Sequence, residues 1–352
     1  MAMEGDTGTV DVAVVGVGRM GRLHALTFGR LPEANLVAVV DTDEERRETV
    51  VDEVGCAAFA DCDQLFSAHP RLRAASIAVP TAQHEAVAAP FLTRGIACLV
   101  EKPFALDVLQ ARALAHLSDR HGAILQVGHT ERFNPAIRAV AAMDVTPRFM
   151  EVNRISPMTF RSLDIGVIMD MMIHDLDIVL NFADSPLKSV VAAGVAVLGE
   201  HEDVANARLE FESGCVANLT ASRLALKTER KMRLFSEEAY VSLDYQKRSG
   251  VLIRKSGNAE ALAKVREQID AGADLSDLDY STLVTVEELT MDLPEGHDDP
   301  LTAELSSFLE AVRTARPPDV DARAGCAAIE AGHRVVEAVQ QHRWEGLAGA
   351  RV

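Results

Sequence analysis

The chain has 352 residues, 48% hydrophobic and 25% charged, an ordinary globular composition with length enough for two domains, which excludes a disordered chain and a one-layer mini-protein. With 35 Lys plus Arg against 53 Asp plus Glu the net charge is -18, so the average surface repels a nucleic-acid backbone or an anionic membrane, and any anionic ligand needs a local basic patch. No apolar run reaches the roughly 20 residues of a membrane-crossing helix, the N-terminus lacks signal-peptide regions, and 5 scattered cysteines without a Cys-x-x-Cys pair argue against a disulfide framework or zinc site. The expectation is a soluble cytoplasmic protein without a metal.

Val10 to Val15 is a short apolar, β-branched run, and similar runs recur at Leu36 to Val40, Ala74 to Val79, Ala97 to Val100 and Ile124 to Val127. These read as buried parallel strands. Helical patterns alternate with them at Met20 to Arg30, Glu44 to Glu53, His84 to Arg94 and Leu106 to His121, the last with Leu109, Ala113, Leu114 and Leu117 on one face. Strand then helix, repeated, predicts a doubly wound Rossmann domain over residues 1–128. Over residues 129–352 the rhythm changes: a Met-rich helix, Ile168 to Leu180, precedes alternating runs at Ala205 to Phe211, Cys215 to Ala221, Lys231 to Phe235 and Tyr240 to Leu243. Alternation predicts an antiparallel or mixed sheet with one covered face, and Gly214 marks a hairpin between the first two runs. Asn258 to Asp277 is polar and helical in pattern, a peripheral insertion, and two helices, Leu301 to Thr314 and Ala322 to His342, close the chain.

Gly16-Val17-Gly18-Arg19-Met20-Gly21 follows the first strand and opens the first helix, the context in which this glycine spacing cradles a dinucleotide. Gly16 permits the tight turn, Gly18 lets a pyrophosphate approach, and Gly21 lets helix and strand pack closely. Asp41 ends the second strand, where a carboxylate accepts hydrogen bonds from an adenosine ribose and favours NAD over NADP; it could instead cap the next helix, although Asp43 is available for that. Glu101-Lys102-Pro103 ends the Ala97 to Val100 strand, on the ligand-binding edge of such sheets. Taken alone it is a strand-ending turn; in this position Lys102 points toward the nicotinamide, and Pro103 can hold a cis bond. Asp170, His174 and Asp177 share one helical face, and so many ionisable groups among apolar neighbours are expensive unless they line a cleft. Histidine has the pKa to take a proton from an alcohol near neutral pH.

Gly16-x-Gly18-x-x-Gly21-x-x-His24, Val79-Pro80-Thr81-x-x-His84, Glu101-Lys102-Pro103 and Asp170-x-x-x-His174 occur in order, and with them the chain resembles the Gfo/Idh/MocA family of sugar and cyclitol oxidoreductases from Val10 to about Val339. The resemblance implies an NAD-binding N-terminal domain and a C-terminal α/β domain with an open, mostly antiparallel sheet that binds substrate and forms a homo-oligomer interface. It further implies cofactor contacts from Gly16, Gly18, Arg19, Met20, Gly21, Asp41, Pro80, Thr81, His84, Glu101 and Lys102. Lys102 and His174 would be the catalytic pair, with Asp170 a substrate or histidine partner. Met172 stands where many members have Gly, so the local helix is expected to pack differently. The strings Gly128 to Pro135 and Asp170 to Asp177 resemble the branch that holds UDP-N-acetylglucosamine 3-dehydrogenases, including the lipid A type. A UDP-sugar needs its diphosphate neutralised. The diphosphate candidates are Arg154, Arg161 and the basic run Arg223, Lys227, Arg230, Lys231 and Arg233; Arg132, Asn134, Asp170 and His174 join Arg154, Arg161, Arg223 and Lys227 as expected substrate contacts. Each basic residue could equally balance a neighbouring acid, and Glu131, Arg132 and Asn134 could equally form a helix-opening turn around Pro135.

Overall fold

β1 (Val10–Val15) has no polar face to give to water: Val10, Val12, Ala13 and Val14 have no exposed surface, so the run is an interior strand. The structure, a computed structural model, describes residues 8–143, 145–159, 165–256, 259–272, 283–289, 291 and 299–343. After β1 come α1 (Arg19–Phe28), β2 (Ala34–Val40), α2 (Glu44–Val54), β3 (Ala57–Phe59), α3 (Cys62–Ala68), β4 (Ala74–Ile77), α4 (His84–Thr93), β5 (Ala97–Glu101), α5 (Val108–His121) and β6 (Leu125–Gly128). The six strands pair in parallel in the order β3-β2-β1-β4-β5-β6. The order reverses between β1 and β4, which places the ligand crevice at the carboxyl ends of these strands. β3 and α3 were not anticipated, because a strand of three residues and a helix of seven are too short to show a pattern. The expected apolar face of α5 is also corrected: Leu109 is 78% exposed, and the buried stripe is Ala111, Leu114 and Ser118.

Beyond β6 the chain forms a 3-10 turn (Thr130–Phe133), α6 (Pro135–Ala141), β7 (Phe149–Ile155), a π-helical turn (Ile168–Met172) continuous with α7 (Ile173–Ala183), β8 (Leu187–Val195), β9 (Val204–Phe211), β10 (Val216–Ser222), β11 (Glu229–Phe235), β12 (Ala239–Asp244), β13 (Ser249–Lys255), α8 (Ala259–Asp270), β14 (Val284–Glu288), α9 (Pro300–Thr314) and α10 (Ala322–Gln341). The second sheet runs β14-β13-β12-β11-β7-β10-β9-β8; β7 and β10 are parallel and the other described pairs antiparallel. In β9 and β12 buried residues alternate with more exposed ones, as a sheet with one covered face requires. Gly214, at φ 84°, turns the β9–β10 hairpin. α8 falls within the helical stretch expected from Asn258 to Asp277, whose last residues lie outside those described.

The chain divides into two compact units. The first is Met1–Asn134 with Leu176–Ile178 and Leu293–Glu337; the second is Pro135–Asp175 with Val179–Asp292 and Ala338–Val352. The last two helices were expected with residues 129–352. Instead α9 puts Leu305, Phe308 and Leu309 into the same buried cluster as Val10, Val12, Val14 and Phe28, so it covers the parallel sheet. No helix among the described residues is long and apolar enough to cross a membrane.

Candidate active site

Three glycines shape the turn from β1 into α1. Gly16 sits at φ +82°, and a Cβ there would lie 2.8 Å from the Ala78 backbone; at Gly21 a Cβ would lie 1.7 Å from the Gly16 carbonyl oxygen. Gly18 differs, because a Cβ there meets nothing within 4 Å. The first two are forced by packing, and the third leaves open space at the start of α1, where no side chain caps the helix and no acid occupies the first turn. Helix-opening N–H groups of this kind suit an anionic phosphate. Asp41 holds the turn from β2: Oδ2 accepts the Val17 amide at 2.7 Å and Oδ1 the Asp43 amide at 3.0 Å. Asp43, not Asp41, caps α2 by accepting the Arg46 amide. A cavity of about 610 Å³ opens here, lined by Gly16, Gly18, Met20, Asp41 and Pro80 and also by Thr42, Arg46, Asp61, Cys62 and Gln83. Asp61 and Cys62 escaped sequence reading because the short β3–α3 segment that carries them left no pattern. Burial, and then the charges of Asp61 and Asp63, push the Cys62 thiol up to about 11, which disfavours the thiolate. A glycine cradle, an unobstructed helix start and a carboxylate lining the same cavity together fit a dinucleotide. Arg19 is exposed on α1, and Thr81 opens a 3-10 turn after Pro80.

His84, expected among the cofactor contacts, is instead 1% exposed, its ring nitrogens 2.9 Å from the Val79 carbonyl oxygen and 3.2 Å from that of Phe104. It ties the end of β4 to the turn after Lys102. Burial lowers its pKa, against the pull of those carbonyls. The Lys102–Pro103 bond is cis. Behind Lys102, Glu101 is joined to His24 at 2.9 Å, and His24 to the Ser76 hydroxyl at 2.7 Å; the other Glu101 oxygen accepts the Lys102 amide at 3.1 Å. Burial raises the Glu101 carboxyl, but His24, the Lys102 amide and the Lys102 charge outweigh it and hold the pKa low. His24 stood in the glycine motif without a role; Ser76 gave no signal. Glu304 of α9 is fully buried and accepts the Thr130 hydroxyl at 2.7 Å. Its clue was an acid on the stripe of Leu301, Leu305 and Phe308.

On the π turn and α7, Asp170 and His174 remain partly exposed, whereas Asp175 and Asp177 are 2% and 1% exposed. Asp177 was expected on a cleft face with them. It is given instead to Arg132, whose Nε and Nη2 donate to it at 2.6 and 3.1 Å. The same correction applies across the basic candidates. Arg154 donates twice to Asp175 at 2.8 Å, both side chains being buried. Arg223 donates to Asp203 at 2.6 Å and to the Ile165 carbonyl at 2.9 Å. Asn134 donates to Glu131 at 3.2 Å, within the turn that opens α6. Charge made the three arginines look like anion ligands, and the buried carboxylates of Asp177, Asp175 and Asp203 claim them. Lys227 is exposed on the loop between β10 and β11, and Arg161 lies outside the described residues. Met172, at the position where Gly is common, is buried within the π turn. No group of His, Cys, Asp and Glu able to hold a metal occurs among the described residues.

Residues 10–129 match the oxidoreductase family with an NAD-binding Rossmann fold, and residues 141–242 the GFO/IDH/MocA C-terminal domain. The chain is 35% identical to a UDP-N-acetylglucosamine 3-dehydrogenase of Acidithiobacillus ferrooxidans over 93% of its own length and 96% of the relative's. A solved structure of a UDP-N-acetylglucosamine 3-dehydrogenase from that organism superposes with a TM-score of 0.82 at 33% identity, covering 94% of this chain and 98% of that one. An NAD(+)-dependent scyllo-inositol 2-dehydrogenase of Bacillus subtilis is 29% identical over 61% of this chain and 67% of its own.

Proposed function

The chain belongs to the Gfo/Idh/MocA family of NAD-dependent oxidoreductases, and from that premise we propose that it oxidises the C3 hydroxyl of UDP-N-acetylglucosamine to the 3-keto sugar nucleotide. The observation that carries this choice of substrate is the 35% identity, over nearly the full length of both chains, to an enzyme of that name. The inositol dehydrogenase relative matches over a smaller part of the chain.

Bound NAD supplies the hydride acceptor. Gly16, Gly18, Met20 and Gly21 form the pyrophosphate turn, with Arg19 beside it, and the Asp41 carboxylate serves the adenosine ribose. The Lys102 ammonium donates a hydrogen bond to the reacting oxygen and stabilises its developing negative charge. Glu101, pinned by His24, fixes the backbone from which Lys102 projects. His174 takes the hydroxyl proton on a ring nitrogen, and Asp170 orients either the imidazole or the sugar. Lys227 remains a candidate for the diphosphate, as does Arg161; Arg132, Arg154 and Arg223 act through the carboxylates they pair with. A homo-oligomer through the open sheet of the second unit is part of the same proposal.

The test is formation of NADH, followed by absorbance, with UDP-N-acetylglucosamine, its uronic acid, free N-acetylglucosamine and inositols. Preference for a UDP-sugar is expected. Equal efficiency on free sugar or inositol returns the chain to the general sugar and cyclitol dehydrogenases of its family. Lys102→Met and His174→Ala are expected to lose turnover while binding NAD normally.

A further inference from the structure

Among the described residues, the helix that carries Asp170 and His174 begins without a capping residue of its own. Ile165-Gly166-Val167-Ile168 offers no Ser, Thr, Asp or Asn, and Val167 stands at the cap position with no side-chain bond. An uncapped helix start leaves backbone N–H groups without partners. Here the partners come from the segment before β9 and the end of β10. The Glu202 carbonyl oxygen accepts the Val167 amide at 2.9 Å, and Glu202 Oε1 accepts the Ile168 amide at 3.2 Å. The next residue, Asp203, is fully buried and binds the Arg223 Nε, while Arg223 Nη1 donates to the Ile165 carbonyl at 2.9 Å. The other Asp203 oxygen accepts the Val197 and Leu198 amides, each at 2.7 Å, and so fixes the segment that presents Glu202.

We propose that Glu202, Asp203 and Arg223 form a clamp that sets the position of Asp170 and His174, with Glu202 and Arg223 as positioning residues. The proposal rests on the catalytic assignment of Asp170 and His174 made above. A carboxylate at a helix N-terminus is favoured by the helix dipole as well as by its hydrogen bond. Gly166 belongs to the device: a Cβ there would lie 1.9 Å from Glu202 Oε1, and its carbonyl accepts the Asp170 amide at 3.1 Å. The turn that follows is π-helical from Ile168 to Met172 and becomes α-helical at Ile173. Asp170 lies in the wide turn and His174 in the regular helix, so their angular offset depends on that turn being kept. π turns are uncommon in helices and occur frequently at functional sites.

The experiment compares Glu202→Ala, Glu202→Gln, Gly166→Ala and the double variant Gly166→Ala/Glu202→Ala with the wild type and His174→Ala. Hydrogen–deuterium exchange of peptides spanning residues 165–172, without substrate, is expected to speed up in Glu202→Ala and to stay near wild type in Glu202→Gln, whose amide oxygen can still accept. Steady-state kinetics use the sugar that the wild type oxidises best. There kcat is expected to fall about 10- to 100-fold in Glu202→Ala and Gly166→Ala, the scale of a small misplacement of a reacting group. NAD affinity by calorimetry is expected to be unchanged. The double variant is expected to be no worse than Glu202→Ala, since its methyl group no longer meets the carboxylate. Wild-type exchange in Glu202→Ala overturns the clamp whatever the substrate is. Wild-type kcat in Glu202→Ala beside a dead His174→Ala overturns the clamp alone; an active His174→Ala overturns the catalytic assignment and the clamp together.

Discussion

Arg154→Met separates a buried structural arginine from a ligand for the substrate diphosphate. The Arg154 and Asp175 side chains are 4% and 3% exposed and joined by two hydrogen bonds of 2.8 Å, so removing the guanidinium takes both of those bonds and the facing charge from a carboxylate in the interior. Breaking a buried pair from one side costs about 3–5 kcal/mol, whereas replacing both members with apolar groups of similar volume is often close to neutral. At about 2–4 °C per kcal/mol for a unit of this size, Arg154→Met is expected to melt about 6–20 °C below wild type. Arg154→Met/Asp175→Leu is expected to recover most of that loss, a coupling that only a direct pair produces. Thermal and urea unfolding followed by circular dichroism would show it. If Arg154→Met melts with the wild type and instead raises KM for the UDP-sugar, the pair carries little stability and Arg154 returns to the list of anion ligands.

Asp41→Ser is expected to weaken NAD binding about 10- to 100-fold, the range for hydrogen bonds to a charged group, and to narrow the preference over NADP; equal calorimetric affinity of the wild type for both cofactors would remove Asp41 from that role. Lys227→Ala is expected to raise KM for the UDP-sugar, less so at high salt, with NAD affinity unchanged, and a KM equal to wild type at low salt would leave Lys227 a solvated surface charge. Burial, and then the negative charges of Glu101 and Asp177, hold the Glu304 carboxyl well above its usual range despite the hydrogen bond from Thr130. The folded chain therefore keeps a proton that the unfolded chain loses near pH 4.3, roughly, so this group costs stability as pH rises from there toward its folded pKa. Glu304→Gln is expected to unfold at higher urea than wild type at pH 7 and at nearly the same urea at pH 4, and an equal gain at both would refute it.

The parallel sheet was legible because its strands are covered on both sides. Val10 to Val15 is apolar except for Asp11 and Ala97 to Val100 is wholly apolar, and glycine is dictated at Gly16 and Gly21 because an added Cβ would lie 2.8 Å and 1.7 Å from neighbouring backbone. The second sheet was half legible. β9 and β10 alternate cleanly, while β8 has one buried residue in nine and β14 none in five, so neither wrote a pattern into the sequence. The arginines were illegible for a different reason. Arg132, Arg154 and Arg223 find their carboxylates 45, 21 and 20 residues away, and a positive charge read along the chain does not say which distant acid will face it.

α7 and the turn before it show what the sequence did say. An apolar helix cannot bury an ionised group without a partner, because desolvation costs several kcal/mol. Each of Asp170, His174, Asp175 and Asp177 must therefore be paired or reach solvent. Asp175 and Asp177 take the first course through Arg154 and Arg132, each receiving two hydrogen bonds. Asp170 and His174 stay partly exposed. What looked from spacing like one cluster of three, Asp170, His174 and Asp177, is two kinds of residue, and the pairing of Asp177 and its neighbour Asp175 inside is what lets so apolar a helix carry the other two ionisable groups at its accessible side. The helix can then be steered from its uncapped end, where Glu202 and Arg223 hold the backbone, without disturbing the ion pairs that bury its middle.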